Sequence, residues 1–159
     1  MAESWETRRF RWMFRFFPCY WGTGARVAYV ASDWKEMRVE LPLSVRTRNY
    51  VGTIFGGSIY GAVDPIYMLM LIKLLGPGYV VWDKAATIRF RKPGRSKLTA
   101  VFKISDEELA SIRGALETER SIDRLYVVEL VSEEGQVCAT IDKTLYIRKT
   151  ERRAEATAR

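Results

Sequence analysis

The 159-residue chain is 48% hydrophobic and 13% aromatic, enough for one domain with its own core and too apolar for a disordered segment. Its formal charge of +7 and pI of about 9.6 favour an anionic partner: nucleic acid, an anionic membrane surface or a phosphate-bearing small molecule. Histidine is absent, which excludes Ser-His-Asp and Cys-His catalysis and leaves acid–base work to carboxylate, Lys, Tyr or the backbone.

The two cysteines, Cys19 and Cys138, form no CxxC pair, so a reducing compartment such as the cytoplasm is expected. With no histidine beside them they do not suggest a zinc site, and each reads as a small buried hydrophobe with no base to activate it. No metal or cofactor is called for.

Ser4 to Phe17 reads as an amphipathic helix, with Ser4 as N-cap, Thr7 at the capping-box position and Pro18 at its end. Trp5, Phe10, Trp12, Phe14, Phe16 and Phe17 are interleaved with Arg8, Arg9, Arg11 and Arg15. Two readings stand: a helix lying across its own domain or a partner subunit, and a helix on a membrane surface. Scattered arginines usually mark a solvated face, which favours the first. The N-terminus shows no secretory pattern.

After a turn at Gly22 and Gly24, Arg26 to Ala31 and Glu36 to Leu43 read as strands; in the second, Met37, Val39, Leu41 and Leu43 share one face. Ser44 to Ile54 is irregular and polar. A long apolar helix follows from about Gly56 to Leu75, stopped by Gly76-Pro77-Gly78. Its longest apolar run, Ile66 to Leu75 less Lys73, falls short of the ~20 residues that span a bilayer.

Tyr79 to Lys92 and Lys97 to Ser105 read as strands, with Lys92 to Ser96 as a hairpin connection. Ser105 opens a short surface helix to about Glu119. Leu125 to Ser132 and Gln136 to Arg148 are the last strands; Val137, Ala139, Ile141, Leu145 and Ile147 share one face of the second. Residues 149–159 read as a flexible charged tail. Six strands and one helix apolar all round point to an α+β fold, an antiparallel sheet wrapped around that helix.

The chemistry concentrates at the start of that helix. Asp64 is a lone carboxylate between Val63 and Pro65, and such a charge is costly unless paired or used. Burial of this kind raises a carboxylate's pKa and strengthens it as a base. Gly56 and Gly57 leave bare N–H groups at a helix N-terminus, which suits an oxyanion. Pro65 cannot donate to the carbonyl of Gly61, so a kink there would turn Asp64 toward a cavity. The competing reading has Asp64 paired with a buried base or with Asn49, Thr53 or Tyr60. No phosphate-loop motif is present, and only Phe90 interleaves the basic run Arg89, Arg91, Lys92, Arg95 and Lys97, so nucleic acid is not the expected partner.

Asn49, Gly52, Gly56, Gly57 and Asp64 resemble the Asn-x-x-Gly-x-x-His-Gly-Gly motif and downstream acid of the PaaI-like acyl-CoA thioesterases of the hotdog fold. Thr87 to Gly94 is similar to the family's strand and loop after the helix, and Gly52 to Pro93 reads closest to the branch called DUF4442. The resemblance implies a single hotdog domain over 22–148, with residues 1–21 outside it, assembled as a homodimer or homotetramer with sites between subunits. It implies hydrolysis of acyl-CoA or another acyl thioester. Asp64 would be general base or nucleophile, the Gly57 amide the oxyanion donor and Asn49 a positioning group. Phe55, Gly56, Ser58, Thr87, Arg91, Lys92 and Arg95 would bind substrate, the basic ones near the phosphates of coenzyme A. Phe55 stands where the motif has histidine, which fits an altered substrate or a descendant that only binds acyl-CoA or fatty acyl groups.

Overall fold

The computed structural model describes residues 2–150, so most of the expected charged tail lies outside the described residues. Helix α1 (Trp5–Arg15) starts on the expected cap: the Ser4 side chain accepts from the Thr7 amide, and Thr7 closes a capping box. Pro18 ends that helix but also opens another, α2 (Pro18–Thr23), because proline suits the first helical position, where no N–H bond is required. Sequence reading had only a turn there.

Strands β1 (Arg26–Val30) and β2 (Glu36–Leu41) pair antiparallel. The long helix is two helices, α3 (Gly56–Val63) and α4 (Ile66–Leu75), separated at Asp64-Pro65. The interruption falls where a kink is expected: Asp64 and Pro65 keep right-handed helical backbone angles, but Pro65 cannot donate to the Gly61 carbonyl and the hydrogen-bond ladder lapses there. By length and composition Gly56–Leu75 would suffice to cross a membrane, yet half of it is buried in the domain. Ala62, Val63, Ile66, Met70 and Leu71 are fully enclosed, and burying each large one contributes about 1.5–3 kcal/mol.

The remaining elements are β3 (Tyr79–Phe90), β4 (Leu98–Lys103), α5 (Asp106–Thr118), β5 (Ser121–Ser132) and β6 (Val137–Lys149). The six strands form one antiparallel sheet in the order β1-β2-β4-β5-β6-β3, the α+β arrangement expected, with β1 and β3 at the edges. One expectation fails. Residues 92–96 do not make a hairpin, because β3 pairs with β6 while β4 pairs with β2 and β5. Pro93-Gly94 marks a reversal of direction, but turn residues do not say which strand comes alongside. The connection instead crosses the domain and is tied down where the Gly94 carbonyl accepts from the Ile54 amide at 2.9 Å. Gly94 is buried there, within contact range of the Ile54 and Leu98 side chains.

The N-terminal helices are integral to this body. Phe10 packs edge-on against Trp34, and Phe14 packs on Tyr20, whose hydroxyl donates to the Ala62 carbonyl. Glu3 takes the Val30 amide and pairs with Arg11. Gly61 has a specific use: a Cβ there would come within 2.7 Å of the Thr23 methyl, so its absence lets α2 close on α3. A helix lying across its own domain is therefore what the inner face of α1 does.

Candidate active site

Asp64 sits at the junction between α3 and α4. Its Oδ1 accepts from the Lys143 ammonium at 2.8 Å. Lys143, in β6, has no solvent exposure at all, while the Asp64 side chain is 42% exposed. The ammonium also lies 2.8 Å from Oδ1 of Asp83 in β3, a second ion pair of the same cation. The Tyr60 ring sits 5.3 Å below the same ammonium. One buried cation thus binds a helix carboxylate, a strand carboxylate and an aromatic face.

The electrostatics follow from that grouping. Burial alone would push the Lys143 ammonium down, but hydrogen bonding and attraction from Asp64 and Asp83 outweigh it and hold its pKa above the ordinary lysine value. The Asp83 carboxyl is raised, first by burial and further by the Asp64 charge, against the pull of Lys143. The Tyr60 hydroxyl is raised by burial and then by Asp64.

Asp64 opens onto a cavity of about 600 Å³, within the range seen for small-molecule sites. It lines that cavity with Phe10, Phe14, Phe17, Tyr20, Pro65 and Met68, an almost wholly apolar wall roofed by α1 and α2. The expected buried pairing of Asp64 and the expected cavity are both present, on opposite sides of the carboxylate. Cys19 also lines this cavity and is exposed, unlike the buried Cys138, so the expectation of a buried Cys19 fails.

The other expected site residues gather elsewhere. Asn49, Thr53, Gly56, Phe90, Arg91 and Lys92 line a second, shallower cavity. Asn49 is spent on its own loop: Oδ1 accepts from the Val51 and Thr53 amides, and Nδ2 donates to the Thr53 hydroxyl. A single copy of the chain does not bring it to Asp64. Gly57 is in the first turn of α3, about two turns before Asp64. A Cβ on Gly57 would meet the Phe55 ring at 2.3 Å, and one on Gly56 would meet Phe90 at 2.9 Å. The glycine pair thus admits two aromatic rings against the helix start. Ser58 is buried; Thr87 and Arg95 are exposed. Of the basic run, Arg89 pairs with Asp142 and Lys97 with Glu133, leaving Arg91 and Lys92 at the cavity. Among the described residues no three or more Cys, Asp or Glu side chains converge as metal ligands.

Lys143 and Asp83 were missed by sequence reading. The signal was available: in β6 the alternation Val137, Ala139, Ile141, Leu145, Ile147 leaves Lys143 on the same buried face.

No curated protein matches the chain in sequence. Solved structures do. A Pseudomonas aeruginosa protein of unknown function, described as a probable thioesterase, superposes with a TM-score of 0.81 at 15% identity, over 94% of this chain and 100% of that one. A Haemophilus influenzae thioesterase gives 0.70 at 16% identity over 97% and 98%. The E. coli PaaI protein of the phenylacetic acid degradation operon gives 0.61 at 15% over 92% and 93%. At such identities the likeness carries the fold, which is the hotdog. The profile of a domain of unknown function, DUF4442, matches residues 6–147. That match spans nearly the whole length, so the chain belongs to the DUF4442 family, and its fold is the hotdog.

Proposed function

We propose that the protein hydrolyses acyl thioesters, with Asp64 as the group that starts the reaction. The observation that carries the reading is the Asp64 carboxylate, held from behind by the fully buried Lys143 and open in front to an apolar cavity. A structural ion pair alone would not require that cavity. The acyl chain lies against Phe14, Phe17 and Met68, with its carbonyl near Asp64. As general base, Asp64 takes a proton from water while the water oxygen bonds to the carbonyl carbon. The oxyanion is met by N–H groups at a helix start, with the Gly57 amide the leading donor. Collapse breaks the C–S bond, and the thiolate leaves to take up a proton. As nucleophile, Asp64 would instead form an acyl anhydride that water then opens.

The two halves of this machinery open on different cavities in one chain, and β3 offers twelve residues of edge strand bonded only on its β6 side. An unpaired edge of that length is a template for another strand. A second copy joined there would let Asp64 of one subunit work with the glycine start of the other, and Arg91, Lys92 and Arg95 would meet the phosphates of a coenzyme A carrier. Light scattering is expected to give a mass at least twice that of the chain; a monomer at working concentration would remove the shared site.

The test is mass-spectrometric detection of free acid and free thiol from a panel of acyl-CoAs. Turnover of at least one is expected. Phe55, whose ring lies over Gly57 where the motif has histidine, supports one other reading, a protein that binds acyl-CoA without cleaving it. Retained, uncleaved acyl-CoA across the panel would establish that reading and end the hydrolase one.

A further inference from the structure

Helix α1 has two apolar faces, and the domain uses one. Thr7, Phe10 and Phe14, spaced three and four apart, face inward. On the opposite side Trp5, Trp12 and Phe16, spaced seven and four apart, share a face and are 67%, 52% and 66% exposed. Arginines flank this outer face: Arg9 lies over the Trp5 ring at 5.6 Å and Arg15 over the Trp12 ring at 5.8 Å, with Arg8 beside them. The nearby acids are turned elsewhere. Glu3 is bound by Arg11 and the Val30 amide, and Glu6 lies 3.8 Å from Lys73. The outer face is therefore cationic as well as aromatic.

We infer that this face docks on an anionic lipid surface. Tryptophan and phenylalanine rings bury their apolar bodies at the headgroup boundary, and arginines beside them take lipid phosphates. Charge decides against the other occupant, a second copy of the chain, because an isologous contact would set Arg8, Arg9 and Arg15 against themselves. Position agrees. Helix α1 packs on β1, at the sheet edge opposite β3, so a copy joined at β3 leaves the face open. Met13 and Phe17 line the Asp64 cavity and are themselves exposed, so its mouth adjoins the docked face. An amphipathic ligand dissolved in the bilayer surface would enter without crossing water.

The experiment is co-sedimentation of the full chain with vesicles of phosphatidylcholine alone or with roughly 30% phosphatidylglycerol. Binding is expected to the anionic vesicles, weakened by raising salt from about 0.05 to 0.5 M. Trp5→Ser/Trp12→Ser/Phe16→Ser is expected to lower the bound fraction by about ten-fold or more with an unchanged circular dichroism melt, since these side chains support no core. Arg8→Gln/Arg9→Gln/Arg15→Gln keeps the rings and is expected to lose the preference for anionic over neutral vesicles. Wild type that stays in solution with anionic vesicles overturns the inference, as does undiminished binding by both variants. A larger oligomer in the wild type that the ring variant dissolves, without vesicle binding, would give the face to a second copy instead. These readouts need no turnover, so they stand or fall separately from the hydrolase reading.

Discussion

Asp64→Asn is expected to abolish thioester turnover, lowering kcat by about a hundred-fold or more, the usual contribution of a positioned base or nucleophile. The substitution keeps size and shape at a side chain already 42% exposed, so the fold should persist. What it removes is the negative charge. An amide cannot take a proton from water, and it cannot attack a carbonyl. Binding of uncleaved acyl-CoA should survive, because the cavity wall of Phe14, Phe17 and Met68 is untouched. Lost turnover with retained binding is the expected pair of results in the mass-spectrometric assay. Turnover within a few-fold of wild type would remove Asp64 from the chemistry and leave it as a surface partner of Lys143.

Asp64 was legible from sequence because a lone acid in an apolar run is conspicuous, and the interruption beside it because Pro65 acts through local backbone chemistry. The strands were legible from period-2 alternation in β2 and β6. What sequence reading missed is non-local. Nothing within Lys92 to Ser96 states that β4 goes to β2 and β5 rather than back to β3. Asn49 sits at its motif position, but whether its side chain serves a ligand or its own loop depends on Thr53 folding back four residues on. Lys143 was passed over because charged residues on strands are assumed to face solvent; its place in the alternation said otherwise. The two acids it joins lie 79 and 60 positions away, closer in space than any sequence window shows.

Lys143→Met is expected to be the most destabilising single change at the site, costing about 3–5 kcal/mol in urea unfolding at neutral pH. Methionine fills similar volume, so the loss is electrostatic rather than a cavity. It leaves Asp83, only 19% exposed, beside Asp64 with no cation between them. The sign of the pH dependence is fixed by that change. In the wild type the Asp83 carboxyl is already raised, so the fold favours its protonated form; that preference is complete below the unfolded pKa and is lost as pH rises through the folded one. Removing Lys143 takes away the one group that pulls Asp83 down, so its pKa rises further and the window of instability widens at its upper end. The deficit of Lys143→Met relative to wild type should therefore shrink as pH falls toward the carboxylate range and grow toward neutrality. Adding Asp83→Asn to the variant should restore a substantial part of the loss at neutral pH by removing one of the two facing charges. A deficit that is flat with pH and unrelieved by Asp83→Asn would assign the cost to packing and contradict the ion-pair account. If the restored double variant still hydrolyses thioester poorly with little change in KM, Lys143 positions Asp64 as well as stabilising the fold, since packing alone would not lower kcat in a refolded protein.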